Sequence, residues 1–574
     1  MCPVSPGRWD RERWSRLDDP VEGPHYLDVR DGFEARQPLS YSHLGLAQTL
    51  YTSKGSIMLP LKAPVGIHRC SWVLISLVVF PLLLSTGRAA DKPNIIIFLV
   101  DDMGPMDTSV PFMTDGEGKP QRYPLNDYYR TPGMERLASR GTRLNHFYAM
   151  SVCSPTRTSI ITGQNATRHG VTQWIRSEGN NKGPFGPPEW NWTGFQDATR
   201  TLPGRLKTAG YRTIFIGKAH FGPNDEPSEF PENLGFDVNI AGCSWGQPGS
   251  YYGQEGYGHI KGNKRRAVPH LEKYHGSETF LTEALTLEAK QQIDAAVEDG
   301  KPFFLDLALY ALHAPFHSNP RYAANYADSG KPKAAQAYAT LVESMDTCLN
   351  QVMDHLESKG IAENTLILFL GDNGSDAPLG PTHEHHSSFP LRAKKGTHYE
   401  GGMRAPFIAA WAKPDAGNVW QQKLPIAQGA IQSQLGCVMD LYPTVLNLVD
   451  VSVPRGHVVD GKDLAKQLSG ERNPDRDERF LMHFPHSHRS SYYTVLRLGD
   501  WKVVYHYLPA MNPSKTRYEL FNLASDPYEN HNLAEEQPQE LKRLMGEMVD
   551  QLEAEGALFP VDDQGKELRP VLPS

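Results

Sequence analysis

The stretch NIIIFLV, residues 94–100, is apolar at every position after its first. A strand with no polar face must be covered on both sides, which is the environment of a central strand in a parallel sheet. Runs of the same kind recur as YRTIFIG (211–217), PFFLDLALYA (302–311), NTLILFLG (364–371) and APFIAAW (405–411). Helix-like segments lie between them at 133–141, 156–163, 202–210 and 337–360. The last carries apolar residues at 341, 345, 349, 352 and 356, with Gly360 as a stop. This alternation predicts an α/β fold: a large mixed, mainly parallel sheet flanked by helices and joined by right-handed crossovers. After about 455 the character changes. YYTVLRLGDWKVVYHY (492–507) reads as two short strands around a Leu-Gly-Asp turn, followed by a polar helix near 536–555. The expected division is a main domain over 91–455 and a smaller C-terminal subdomain, 456–574, containing an antiparallel sheet.

A chain of 574 residues exceeds what one core usually holds, in keeping with two domains. Its formal net charge of −8 excludes general nucleic-acid binding. Cys2, Cys70, Cys153, Cys243, Cys348 and Cys437 are scattered without a CxxC pair, so neither a zinc ribbon nor a disulfide scaffold is indicated. Residues 1–57 are polar and aperiodic, and are expected to be a mis-assigned or disordered extension. From Met58 onward, Lys62, His68 and Arg69 form a positive flank, residues 71–84 an apolar run broken by Pro81, and STGRAA a small-residue end. That is the order of a secretory signal. Residues 58–90 are therefore expected to be a signal peptide cleaved near Ala89 or Ala90, and the product to be exported to a periplasmic, extracellular or other secretory compartment. The run is too short to predict a stable membrane span.

In open α/β sheets chemistry sits beyond the carboxyl ends of the strands. Asp101 and Asp102 follow the run at 94–100, and Asp372 and Asn373 follow the run at 364–371. Lys218 and His220 follow 211–217, and His313 follows 302–311. Each alone reads more readily as a cap, a turn or a structural histidine. Together they bring three carboxylates to one rim, where they repel unless a cation sits among them. Oxygen ligands suit Ca²⁺ or Mg²⁺ rather than zinc.

The segment SVCSPTRTSIITG (151–163) adds a cysteine to this hard-ligand setting. Pro155 fits the first turn of a helix, which places Cys153 at the positive end, and Arg157 adds a cation. A thiolate nucleophile is one reading of these residues. Yet the C-x5-R spacing of thiol phosphatases is absent, since Ser159 stands where that arginine belongs. A soft thiolate among carboxylates and a hard cation is also chemically out of place.

C-x-P-x-R followed by T-G resembles the signature of the type I sulfatases, in the alkaline phosphatase superfamily. LVDDMG, GKAHFG, LHAP and GDNGS resemble that family's further motifs, in the same order. AKKGTHYEGGMRAP (393–406) resembles its G-K-G-T-x-x-E-G-G-x-R-x-P segment, with Lys394 in place of the first glycine. DLYPTVLNLVDV (440–451) and YELFNLASDPYENHNLA (518–534) resemble its later segments, so the likeness runs from about 93 to 555. The resemblance implies an alkaline phosphatase-like fold and sulfate-ester hydrolysis. It implies that a formylglycine-generating enzyme converts Cys153 to Cα-formylglycine, whose hydrated aldehyde is the nucleophile. Asp101, Asp102, Asp372, Asn373 and residue 153 would bind Ca²⁺ or Mg²⁺. Arg157 would support the aldehyde and the metal site, Lys218 and Lys395 would clamp the sulfate, His220 would bond one hydroxyl of the diol, and His313 would act as acid on the leaving group.

The expected substrate is a sulfated carbohydrate, with aryl sulfates also accepted. The competing readings are a phosphodiesterase or phosphonate hydrolase of the same superfamily, and an inactive relative that binds sulfated glycan. HEHH (383–386) and HFPHSHR (483–489) are candidate substrate-facing loops without the ligand spacing of a second metal site, and KGNKRR (261–266) reads as a solvated loop. Asn165 and Asn191 sit in sequons that fit export. Asn373 also sits in one, which coincides with the metal motif and is read as chance.

Overall fold

The computed structural model describes residues 92–259, 266–379 and 387–574. The extension, the signal segment, the HEHH cluster and most of KGNKRR lie outside the described residues.

The main sheet has eight strands: β1 (Asn94–Val100), β2 (Gly141–Leu144), β3 (Arg212–Gly217), β4 (Val238–Ile240), β5 (Phe303–Leu309), β6 (Thr365–Gly371), β7 (Phe407–Trp411) and β8 (Ala430–Gln432). Their spatial order is β8-β2-β7-β6-β1-β5-β3-β4. β1 pairs in parallel with β5 and β6, and β3 pairs in parallel with β5 and β4. β7 runs antiparallel to both its neighbours, which makes the sheet mixed but mainly parallel. The apolar run behaves as its composition demands. Ile96, Phe98 and Val100 point into one core, and Ile95, Ile97 and Leu99 into the other.

Helices cover both faces. α1 (Pro132–Arg140), α4 (Leu281–Glu298) and α5 (Lys333–Ser358) pack on the first face. α2 (Cys153–Thr162), α3 (Leu202–Thr208) and α6 (Leu441–Leu448) pack on the second. Among the described residues no helix is long and apolar enough to cross a membrane.

The C-terminal sheet has four antiparallel strands rather than the two read from sequence: β9 (Arg479–Ser487), β10 (Ser491–Leu498), β11 (Trp501–His506) and β12 (Tyr518–Asn522). Its alternation divides two contacts. Phe480, Met482, Val495 and Phe521 pack against Tyr148, Val152 and Met403 of the main domain. Leu481, Leu496, Val503 and Leu520 pack against Leu541, Leu544 and Met548 of α7 (Pro538–Glu555). β9 also accounts for most of the HFPHSHR cluster. His483 is buried between Thr494 Oγ1 at 2.7 Å and the Leu558 carbonyl at 2.9 Å, and His486 is buried against Thr172 Oγ1 at 2.8 Å. These two rings are strand-interior side chains, not the substrate-facing loop residues expected from sequence. His488 alone stays half-buried, edge-on to Trp174. Asn165 is likewise no glycan site in the folded chain. It is 1 % exposed, caps a short helix through Thr167 N at 3.0 Å, and donates to Leu481 O at 2.9 Å.

A buried ion cluster ties the two sheets together. Lys502 Nζ of β11 lies 3.1 Å from Glu400 Oε1 and 2.6 Å from Glu529 Oε1, with all three side chains 0–1 % exposed. Glu400 also accepts from Tyr148 Oη at 2.7 Å, and its own amide donates to Glu529 Oε2 at 2.7 Å. Removing the cation leaves two buried carboxylates facing each other. Lys502→Met is therefore expected to lower unfolding free energy by about 3–5 kcal/mol, read as a drop in urea midpoint. Loss of the exposed Arg543–Glu540 pair should cost about 1 kcal/mol or less.

Candidate active site

β6, β1, β5 and β3 are adjacent and parallel, so their carboxyl ends open onto one rim. Asp372 and Asn373 directly follow β6, Asp101 and Asp102 follow β1, Lys218 follows β3, and His313 comes four residues after β5. α2 begins at Cys153 itself and is buried along its whole length. Its first turn points the backbone N–H groups at the same place, a favourable environment for negative charge. The structure thus brings together all ten residues expected from sequence.

Their pairing is specific. Lys218 Nζ donates to Asp101 Oδ2 at 2.6 Å, and Lys395 Nζ donates to Asp102 Oδ1. Arg157 donates through Nε and Nη2 to Asp372 Oδ2 at 3.0 and 2.8 Å, and through Nη1 to the Lys218 carbonyl at 2.5 Å. Three buried carboxylates therefore face three buried cations. Burial raises the Asp102 carboxyl, but Lys395, His313 and Lys218 together hold it below the usual range. Burial also raises Asp372, and Arg157 reverses the effect. Asp101 stays well above the usual range, because burial and its two carboxylate neighbours outweigh Lys218 and Arg157.

Two backbones are strained to make this geometry. Asp102 has φ 60° and His220 has φ 53°, in a region that side chains other than glycine rarely adopt. Asp102 N is held by Asp372 Oδ1 at 3.0 Å and His220 N by Cys243 O at 3.0 Å. Lys394, the departure from the family segment, is accommodated. The left-handed φ values fall on Ala393 (61°) and Gly396 (80°), and the Lys394 ammonium lies 3.4 Å from Asp376.

The two histidines are posed by their carbonyl partners. His220 Nε2 donates to Ile175 O at 2.6 Å, so Nδ1 is the acceptor that faces Cys153 Sγ at 3.3 Å. Burial, then Lys218, pushes this ring well below the usual histidine range, which keeps it neutral. His313 Nδ1 donates to Ala314 O at 2.9 Å, leaving Nε2 3.7 Å from Asp102 Oδ2. Burial is also the main reason His313 falls to about 3. With a side chain 18 % exposed, His313 is the member of the group that opens to solvent.

The donor set fits a hard cation. Asp101 Oδ1 and Asn373 Oδ1 are buried without hydrogen-bond partners. Asn373 Nδ2 is engaged with Asp102 Oδ1 at 3.0 Å, so the free amide oxygen is turned away from it. Ligand atoms of Asp101, Cys153 and Asp372 lie within 4.8 Å of one another. Orphaned buried oxygens beside carboxylates are what an oxygen-coordinated divalent ion satisfies.

The sequence and the fold have known counterparts. The Sulfatase family model matches residues 93–451. The chain belongs to the sulfatase family. It is a sulfuric ester hydrolase of the alkaline phosphatase superfamily. The model for the N-sulphoglucosamine sulphohydrolase C-terminal region matches residues 394–556. A sulfatase from Formosa agariphila is 29 % identical over 81 % of this chain and 89 % of its own length. N-acetylgalactosamine-6-sulfatase of Canis lupus familiaris is 30 % identical over 73 % of each chain. The crystal structure of Ps i-CgsB in complex with k-i-k-neocarrahexaose superposes with a TM-score of 0.62 at 26 % identity, covering 80 % of this chain and 93 % of that one.

Sequence motifs do not mark Gly246, yet this sulfatase leans on it. A Cβ built there falls 2.5 Å from His220 Cε1 and 2.9 Å from its Nδ1. The ring cannot retreat, because it is buried and anchored on Ile175 O. Gly246→Ala is expected to push Nδ1 away from residue 153 and lower kcat about 10²-fold, with only a small change in Tm. Steady-state kinetics beside a thermal melt check this; unchanged kcat would show that the ring position is not limiting.

Proposed function

We propose that the chain is an exported sulfatase that removes sulfate from sulfated carbohydrate and also turns over aryl sulfates. In this reading Cys153 is converted to Cα-formylglycine by a formylglycine-generating enzyme. A divalent ion, Ca²⁺ with Mg²⁺ as the substitute, is held by Asp101, Asp102, Asp372, Asn373 and residue 153. The observation that carries it is the pair of donorless oxygens, Asp101 Oδ1 and Asn373 Oδ1, buried in the cluster where ligand atoms of Asp101 and Asp372 lie within 4.8 Å of Cys153. The carbohydrate assignment is supported by relatives named N-acetylgalactosamine-6-sulfatase and by a neighbour crystallised in complex with k-i-k-neocarrahexaose. Export is supported by the basic, apolar, small order of residues 58–90.

When bound, the ion polarises the sulfate oxygens, and the hydrated aldehyde offers one hydroxyl to attack and a second to release the product. The remaining work belongs to the chain. Arg157 ties α2 to Asp372 and to the Lys218 carbonyl in one geometry. Lys218 and Lys395 reach the rim on Asp101 and Asp102 respectively, and their ammoniums offset charge developing on the transferred group. The three carboxylates are already balanced by three cations, so a divalent ion leaves the pocket net positive, as an anionic ester requires. His220 Nδ1 is posed to take a proton from residue 153. His313, at the open side, would deliver a proton to the leaving oxygen from Nε2 in its charged form, because Nδ1–H is committed to Ala314 O and Asp102 Oδ2 lies beside Nε2.

The test is a panel of sulfated monosaccharides, an aryl sulfate and an aryl phosphodiester, assayed with and without chelator, alongside mass spectrometry of the peptide carrying 151–157. Aldehyde at 153, activity lost to chelator and restored by Ca²⁺, and preference for sulfate esters are expected. Preference for the phosphodiester would transfer the reading to a phosphodiesterase or phosphonate hydrolase. Unmodified Cys153 in an inactive native protein would favour a glycan-binding relative.

His313 makes a separate prediction. His313→Ala should cost about 10²–10⁴-fold in kcat on a sugar sulfate, whose leaving alkoxide is basic. On an activated aryl sulfate the loss should be well under tenfold. Equal losses on both would reassign His313 to binding.

A further inference from the structure

Three residues that the proposed chemistry does not use meet behind the Lys395 segment. His398 follows Lys395 by three positions, His506 ends β11, and Glu519 lies in β12. They are 2 %, 1 % and 2 % exposed. Glu519 Oε1 accepts from His506 Nε2 at 2.8 Å and lies 3.4 Å from His398 Nε2. All three potential ligand atoms lie within 4.8 Å of one another. A hydrogen-bonded His506–Glu519 pair would be complete by itself, yet it leaves His398 Nε2 buried with no hydrogen-bond partner, a costly arrangement in a native interior.

We propose that His398, His506 and Glu519 bind a Zn²⁺ ion that fastens the Lys395 segment to the C-terminal sheet. Two imidazoles and a carboxylate are zinc donors, in contrast to the oxygen set at the rim. Bonds of about 2.0–2.2 Å in a tetrahedron put ligand atoms roughly 3.4 Å apart. His398 and Glu519 already stand at that separation, and His506 must open by roughly half an ångström. The outer partners are in place: His398 Nδ1 pairs with Ser490 Oγ at 3.1 Å, and Tyr399 Oη donates to Glu519 Oε2 at 2.9 Å. A cavity of about 350 Å³, lined by His398, Tyr399, Ser490 and Asn512 among others, brings solvent to the His398 side of the cluster.

The experiment uses the full chain in a Cys153→Ala background, which removes the one thiol at the rim. Protein stripped with chelator and resupplied with Ca²⁺ is dialysed against ZnCl₂ and counted by elemental analysis. One zinc per chain is expected to survive dialysis. His506→Gln and Glu519→Gln should each weaken zinc retention at least tenfold while calcium content stays the same. Zinc retained equally by the parent and both variants, or not retained by the parent, overturns the proposal. Should the variants fail to fold, the parent loaded with Co²⁺ decides. The intense visible absorption of tetrahedral Co²⁺ supports the site, and the faint octahedral spectrum overturns it.

Discussion

Asp101, Asp102 and Asp372 lie side by side at almost zero exposure, and like charges at that depth persist only if cations stand among them. Arg157, Lys218 and Lys395 supply those cations from three segments remote in sequence. No local element could build this cluster. It requires the ends of β1, β3 and β6, the first turns of α2 and the 395 segment to arrive together. The parallel sheet brings the strand ends to one rim. The helix on its second face brings Arg157, and the C-terminal sheet holds Lys395. Fold and charge balance are therefore one constraint: whatever displaces a cation also uncovers a buried carboxylate.

The same coupling maintains the strain. The left-handed backbones at Asp102 and His220 cost on the order of 1–3 kcal/mol each. They persist because each amide is bound inside the cluster or beside it, Asp102 N to Asp372 Oδ1 and His220 N to Cys243 O. Relaxing either would turn a side chain away from residue 153 and break a buried hydrogen bond. Gly246 belongs to this frame, since its missing Cβ is the space into which the His220 ring fits.

The central strands were legible because both their faces are covered, which leaves an uninterrupted apolar run that no solvated segment imitates. The charged residues at their ends were legible because parallel strands deliver successive loops to one side. α4 was not read from sequence. Its buried stripe of Leu281, Leu285, Ala289 and Ile293 is blurred by Leu287 and Val297, which are 41 % and 40 % exposed on the other side. β9 was obscured by its histidines. His483 and His486 are neutral, hydrogen-bonded strand residues, but in the sequence they suggest a polar loop. Gly246 and the His398–His506–Glu519 cluster depend on contacts between residues far apart in the chain, so no local pattern announces them. Lys394 shows the converse. It stands where the family segment has glycine, and the backbone places its left-handed residues one position before and two after.

The C-terminal sheet is more than an appended layer. Lys395 N donates to Ser375 O at 3.0 Å, and Gly396 N donates to Ser151 O at 2.8 Å, just ahead of Cys153. From the other side Ser490 N donates to Gly396 O at 3.1 Å, and Arg489 Nη1 to Lys395 O at 3.3 Å. One short segment is thus bonded to the loop after β6, to the approach to α2 and to the β9–β10 turn. Lys395 sits where these three meet, so its ammonium position is set by the seating of the second sheet on the first. The buried Lys502 cluster lies on that same seam. A change there would reach the rim as a shift of Lys395, because only four residues separate Lys395 from Glu400 of that cluster.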